Sequence, residues 1–312
     1  MKTRIITVTL NAAIDKTYYL AEVMKGRVLR AEKVLAVAGG KGVNVARVLR
    51  QLGHEDVAVT GFAGGYNGRF IADQVREYGI IEEFVKVRGE SRLCLNFMDS
   101  RDGSSTEVLE PGPELGREQA EEMKAKIGAL ASQSRLIIFS GSIPRGLPAD
   151  FYADLIRIAS SCGAEVFLDA SGEPLAHGLA AVPQLIKPNA DEIRPWLTGS
   201  GERAVAAAVT KLMDKGIPNV VVTLGEEGAL AGIKGRIYRI HIPRIAAVNT
   251  VGSGDAFLAG FAYGYVRGWS SENCLRHAAA AGCANALSPI AGDVDVGNYE
   301  NLLQEVSVET WL

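Results

Sequence analysis

The stretch Asn249-Thr250-Val251-Gly252-Ser253-Gly254-Asp255-Ala256-Phe257 is where the rest of the chain becomes readable. Gly252, Ser253 and Gly254 permit a tight turn with free backbone N–H groups, and an apolar run follows at once. A helix starting there aims its positive end into the turn, which makes a ready anion site. Residues 256–266 are apolar on nearly every side, so that helix belongs inside the protein. Asp255 then puts a carboxylate at the helix start. An N-cap role would account for an isolated Asp there. Beside an anion site, however, a carboxylate is unfavourable unless it handles a proton or sits near a metal. That combination suits phosphoryl transfer, in which a base orients a hydroxyl while N–H groups stabilise the migrating charge. The stretch is not a dinucleotide fingerprint: Phe257 stands at the third glycine of GxGxxG, and no strand-borne acid follows about 20 residues on. Nor is it a Walker A loop, because no GK[ST] closes it.

Working outward, short β-branched runs alternate with longer amphipathic segments, the pattern of parallel βαβ units. Strands are expected at 5–10, 57–60, 136–140, 166–169, 185–187 and 220–224, and helices at 43–52, 70–78, 117–130, 148–162 and 202–215. A second helix of small residues, 274–287, is expected to pack in the core beside 256–266. Several strands end in small or polar residues: Ser140-Gly141, Asp169, Lys187-Pro188-Asn189 and Leu224-Gly225. Ligands of open α/β sheets bind at that carboxyl edge. Two stretches, 17–36 and 92–110, break the alternation and read as short strands joined by turns, one of them Arg101-Asp102-Gly103-Ser104.

Other segments carry chemistry at the same edge. Gly39-Gly40-Lys41-Gly42-Val43-Asn44 leads a helix with a backbone that a ligand can approach closely. Lys41 adds a point charge for a phosphate and Asn44 a group for sugar hydroxyls; a flexible turn with a solvated lysine is the plainer reading. Asp15 could hold hydroxyls bidentately, or serve a turn. Asn189 and Glu192 lie three apart at a helix start, where they make either a capping box or a pair for the hydrated Mg²⁺ of a nucleotide. Thr223-Leu224-Gly225-Glu226-Glu227-Gly228-Ala229 reads as strand, glycine turn and strand, which could border a nucleotide or simply form a hairpin.

Composition narrows the classes. The 312 residues carry 33 Lys+Arg against 36 Asp+Glu, a net charge of −3, which argues against nucleic acid as a partner. With 47% hydrophobic and 22% charged residues, the chain is an ordinary globular sequence. Its four cysteines are dispersed, with no CxxC, so neither a disulfide framework nor a zinc site is expected. The apolar run 5–10 is strand-length, too short for a signal peptide or membrane span, and a cytoplasmic location is the expectation.

Taken together, these segments resemble the ribokinase-like sugar kinases, the PfkB carbohydrate kinase family, along essentially the whole chain. The most specific marks are Gly39–Asn44 and Thr250–Phe257, in the family's order and far apart. The resemblance implies an α/β fold: a ribokinase-like three-layer α/β/α sandwich with a mostly parallel central sheet. It implies one kinase domain over 1–312, with a small β-sheet lid from about 16–36 and 90–110. By position, Asp255 matches the family's catalytic base and Gly252, Ser253 and Gly254 its anion hole. Lys187, Thr223, Gly225, Gly228 and Thr250 match the ATP side; Asn189 and Glu192 match a metal-proximal pair acting through water. Asp15, Gly39, Gly40, Lys41 and Asn44 match the sugar side. ATP and Mg²⁺ are the implied cofactors, with a monovalent cation left open. The implied partners are a phosphosugar and ATP, without nucleic acid or membrane, and lids pair across a homodimer in several members.

The opening Thr9-Leu10-Asn11-Ala12-Ala13-Ile14-Asp15 resembles the phosphosugar branch, which usually has proline where Ala12 stands. Lys41 and Arg92 are its expected substrate-phosphate contacts. Fructose 1-phosphate is the expected substrate, giving fructose 1,6-bisphosphate. Tagatose 6-phosphate is the alternative, towards which Ser91-Arg92-Leu93-Cys94 leans. A 6-phosphofructokinase and a non-catalytic sugar-phosphate sensor are more distant alternatives.

Overall fold

The computed structural model describes residues 2–311. Its large sheet runs, in spatial order, Ser307–Thr310, Arg236–His241, Ala229–Ile233, Asn219–Thr223, Leu185–Ile186, Glu165–Asp169, Leu136–Ser140, Ile5–Asn11, Val57–Gly64 and Ile81–Glu82. Val85–Val87 also pairs with Val57–Gly64. Pairing is parallel from Asn219–Thr223 to Ile81–Glu82 and antiparallel across the three strands beyond.

Strand alternation divides the apolar residues into two cores, one on each sheet face. Ile5, Leu136 and Ile138 pack towards helices Lys41–Gln51, Gly65–Glu77, Ser253–Val266 and Ser271–Ala286. Ile6, Val8, Ile137 and Phe139 pack towards Arg117–Ala131, Phe151–Ser161, Gly172–Leu179 and Glu202–Asp214. The result is a three-layer α/β/α arrangement. Central strands buried on both faces explain their nearly continuous Val, Ile and Leu content. Ser253–Val266 and Ser271–Ala286 lie in the core, as their apolar and small residues require; Gly260 leaves no room for a Cβ, which would meet the His277 carbonyl oxygen at 2.5 Å.

A second sheet stands apart, ordered Lys33–Gly39, Ala13–Leu20, Arg92–Asp99 and Ser105–Leu109. Its first two strands extend beyond the 16–36 segment at both ends, because Ala13 pairs with Gly39 and Tyr19 with Lys33. Asn11 and Ala13 thus join the two sheets directly.

Several boundaries differ from the sequence reading for identifiable reasons. The first helix begins at Lys41 instead of residue 43, straight after Gly40 at φ 97°. The second begins at Gly65 instead of residue 70, because the distant Glu90 carboxylate accepts from the Tyr66 and Asn67 N–H groups at 3.0 and 2.9 Å. Pro148 opens a turn, not a helix, and Phe151 is the first helical residue. No α-helix follows Asn189; a turn leads into one 3₁₀ turn, Arg194–Trp196.

Candidate active site

The C-terminal ends of the parallel strands and the small sheet enclose a cleft of about 1320 Å³. Every residue assigned from the sequence to catalysis, substrate, ATP or metal lines it, except Gly39. Gly39 acts from behind: a Cβ there would lie 2.2 Å from the Asp15 carboxyl carbon, so only glycine leaves room for that side chain.

The anion turn forms at one end. Gly252 is the N-cap of Ser253–Val266 at φ 82°, and a Cβ on it would meet the Gly292 nitrogen at 2.6 Å. Asp255 is therefore not the N-cap but lies within the first turn, its side chain turned into the protein. The Thr250 carbonyl accepts from the Ser253 N–H at 3.2 Å, so the turn presents the Gly252 and Gly254 amides, not all three. Asn285, wholly buried, locks this geometry from the next helix. Its Nδ2 donates to the Val251 carbonyl at 2.9 Å and the Ser253 hydroxyl at 3.1 Å, and its Oδ1 accepts from Gly292 N–H at 2.7 Å.

Asp255 is 5% exposed and accepts from Asn44 Nδ2 at 2.9 Å. Burial pushes its carboxyl up to about 6, against the nearby Lys41 ammonium, with Asp169 adding to the rise. A carboxylate on the edge of titration near neutrality is suited to accepting a proton. Asn44 thus serves the acid first; it lines the cleft, and its buried Oδ1 has no partner among the described residues.

Lys41 and Lys187 converge on one carboxylate. Asp169 Oδ1 lies 3.3 Å from Lys41 Nζ, and its Oδ2 lies 3.3 Å from Lys187 Nζ. Burial would push the Asp169 carboxyl up, but the two lysines hold it below the usual range. Lys41 is raised, chiefly by Asp169. Lys187 is itself buried, and its Nζ lies 3.2 Å from where a Gly254 Cβ would stand, so its charge borders the anion turn.

Arg92 lines the cleft. Its Nε donates to the Asn11 carbonyl at 3.2 Å, which ties the small sheet to the body, and its Nη1 donates to the Glu110 carbonyl at 3.5 Å, at the end of the small sheet itself. Asp15 lies on the neighbouring strand, paired in register with Cys94, and is raised by burial and pulled back by Arg47 and Arg92.

Asn189 and Glu192 form the capping box. The Asn189 Oδ1 accepts from the Asp191 and Glu192 N–H groups, each at 2.9 Å, and Glu192 Oε2 accepts from Asn189 N–H at 2.9 Å. Glu192 lines the cleft, and its other oxygen, Oε1, has no bond to the capping pair. Among the described residues no three His, Cys, Asp or Glu cluster to hold a metal by themselves. A Mg²⁺ carried on nucleotide phosphates needs only one or two protein carboxylates and keeps several waters, so this donor set fits it. Thr223, Gly225 and Gly228 border the cleft beyond, at the hairpin joining Asn219–Thr223 to Ala229–Ile233. Small side chains at Ala279, Gly282 and Ala286 leave open space facing them.

Three contributors escaped the sequence reading. Asp169 carried a signal, a carboxylate ending a parallel strand, but nothing local pointed to its lysines. Arg47 had a fainter one, a charge inside the apolar run Val43–Leu49; it donates to the Ala38 and Ala291 carbonyls and its guanidinium carbon lies 4.7 Å from the Tyr78 ring centroid. Asn285, inside an alanine-rich helix, gave none.

Residues 8–294 match the profile described as pfkB family carbohydrate kinase. The chain belongs to that family. A tagatose-6-phosphate kinase of Staphylococcus epidermidis is 36% identical over 309 residues, covering 97% of this chain and 99% of the relative. The phosphofructokinase-2 of Escherichia coli, solved in complex with substrates and products, is similar at TM-score 0.90 and 25% identity, covering 97% of this chain and 99% of that one. A Thermotoga maritima protein described as a possible 1-phosphofructokinase shares the fold at TM-score 0.86 and 23% identity, covering 99% of this chain and 100% of the other. No helix among the described residues is long and apolar enough to cross a membrane.

Proposed function

We propose that this pfkB-family kinase transfers the γ-phosphoryl group of ATP to a ketohexose phosphate, and that tagatose 6-phosphate is its preferred substrate. The observation that carries the phosphoryl-transfer reading is the juxtaposition of Asp255, turned inward and raised to about 6, with the Gly252 and Gly254 amides. The choice of sugar rests on the 36% identity to a tagatose-6-phosphate kinase along nearly the full length of both chains. That relative moves the preference away from fructose 1-phosphate, the substrate expected from the sequence.

In this reading the acceptor sugar lies between the small sheet and Asp255, with Asp15 and the free Asn44 Oδ1 holding hydroxyls. Asp255 orients the attacking hydroxyl and takes its proton as the new P–O bond forms. An alkoxide is too basic to be released beforehand, so proton transfer accompanies the phosphoryl shift. The Gly252 and Gly254 amides and Lys187 hold the charge on the phosphoryl oxygens. Lys41, and Arg92 through Nη2, meet the substrate's own phosphate. Thr223, Gly225, Gly228 and Thr250 border the nucleotide, and Asn189 and Glu192 would hold the water shell of a Mg²⁺ carried on its phosphates, which would supply charge neutralisation there. The small sheet, spanning 13–39 and 92–109, serves as a lid, and its open edges suit pairing with a second copy.

A coupled ADP-release assay with MgATP tests the proposal on tagatose 6-phosphate, fructose 1-phosphate, fructose 6-phosphate and free fructose. The expected result is the largest kcat/KM on tagatose 6-phosphate. A larger value on fructose 1-phosphate would reverse the substrate order within the same mechanism. Preference for free fructose would remove the phosphate roles of Lys41 and Arg92. Silence on all four would point to a non-catalytic sensor.

A further inference from the structure

We propose that Asp169 is a positioning residue of the transfer: from beneath the cleft it holds Lys41 on the acceptor side and Lys187 on the side of the anion turn. This rests on the kinase reading, which it deepens. Asp169 itself does not line the cleft, and its side chain is fully buried. It ends the strand Glu165–Asp169, beside Leu185–Ile186, so the backbone fixes it next to Lys187; the Leu168 carbonyl accepts from the Lys187 N–H at 3.3 Å. The other oxygen of the same carboxylate meets Lys41, the first residue of its helix.

The geometry is selective. A buried carboxylate needs one partner to offset its desolvation, yet this one has two, and both ammonium groups line the cleft. Lys187 faces Gly254, and Lys41 faces Asp255 and Glu192. Without a central anion, two like charges bordering one cleft would repel each other and turn towards Asp255 and Glu192, neutralising the base. With Asp169 between them, each lysine keeps donors for phosphate oxygens and Asp255 keeps an open carboxylate oxygen. The groups facing this centre are Lys41 and Asn44 from the first helix, Lys187, Glu192 beyond it, Asp255 from the buried helix, and Tyr152 beneath, whose hydroxyl donates to the Gly141 carbonyl at 3.2 Å.

The test is Asp169→Asn in the full chain, read in two ways. In the ADP-release assay, kcat should fall about a hundredfold as Lys187 loses its place, in the range seen when one transition-state donor is lost. The KM for the sugar phosphate should rise by a smaller factor as Lys41 loses its own, with the KM for ATP much less changed. In ligand-free protein, acetylation of Lys41 by acetic anhydride is titrated between about pH 7 and 10, where the rate follows the small neutral-amine fraction, and is read by mass spectrometry. At each pH Lys41 of the variant should react about tenfold faster or more, and Asp169→Glu should reverse part of the gain. A purely structural role would not move that titration. If the unpaired Lys187 ammonium prevents folding, Asp169→Asn combined with Lys187→Met removes the buried charge and still reports on Lys41. An unchanged Lys41 titration overturns the proposal, as does a variant within threefold of an active wild-type enzyme. A wild-type protein silent on every sugar phosphate would instead defeat the kinase reading, and the Lys41 titration would still decide whether Asp169 holds that lysine.

Discussion

The two sheets that enclose the cleft are built on opposite principles. Every residue of Ile5–Asn11 and Val57–Gly64 in the large sheet is buried, whereas every residue of Ser105–Leu109 in the small sheet is exposed and most of Arg92–Asp99 is half-buried. The large sheet has a core on each face; the small one rests on helix Gly65–Glu77 and on its four crossings to the body. The charged cluster sits at the carboxyl edge of the large sheet, where low dielectric and dense packing fix it. The small sheet has fewer buried residues to hold it, so local opening there is expected to cost less. Hydrogen exchange should sharpen this contrast, with amides of 92–99 and 105–109 exchanging well before those of 5–11 and 136–140.

The largest effect is expected at the rigid side. Asp255→Asn should lower kcat by about a thousandfold or more, within the upper range for loss of a general base, with ATP affinity by calorimetry nearly unchanged. Near-normal turnover would remove Asp255 from its role. The same variant should be more stable than the wild type at neutral pH. Burial raises the folded-state value to about 6 from 3.8, so the ionised group costs stability above that pH. A neutral amide removes a cost on the order of 1–3 kcal/mol. Thermal melts should show the gain above pH 6, shrinking as pH falls and vanishing below about 4. In the wild type, kcat/KM should fall with acid below about pH 6, as Asp255 takes a proton before the sugar arrives.

Gly252→Ala probes the joint between turn and body. The φ of 82° and the 2.6 Å approach of Gly292 N together predict a loss of about 1–3 kcal/mol in urea melts, accompanied by a greater loss of turnover than of stability. A smaller effect is expected where the small sheet is tied to the body. Arg92→Ala should raise the sugar-phosphate KM about tenfold, equivalent to one weak charged contact. It should also speed exchange of the small-sheet amides, because the ties to Asn11 and Glu110 are lost. The smallest belongs to the exposed strand: Val108→Ser with Leu109→Ser should shift monomer stability by less than about 0.5 kcal/mol. A large loss of stability that depends on protein concentration would show that a second copy covers this strand, and would turn the loose sheet into an interface.

What was legible in the sequence is what local chemistry dictates. Gly40 and Gly252 announce turns because their positive φ excludes a side chain, and the runs at 5–10 and 136–140 announce buried parallel strands by being apolar throughout. The same logic located Asp255, because a carboxylate after a glycine turn and before an apolar helix is unusual wherever it occurs. The early start of Gly65–Glu77 was hidden, because its cap comes from Glu90, across a strand crossing. The Asn189-x-x-Glu192 segment showed its capping pattern plainly, yet only the fold brings Glu192 to the cleft.

The ion cluster was decided by tertiary structure alone. Lys41, Asp169, Lys187 and Asp255 are scattered over more than two hundred residues, and nothing near any of them names its partners. They meet because the strand order sets 165–169 beside 185–186 and because two helices from opposite ends of the chain start at the same sheet edge. Turn geometry and hydrophobic period are properties of neighbours along the chain. Charge pairing in a buried site is a property of neighbours in space, and the order of strands is what converts one into the other.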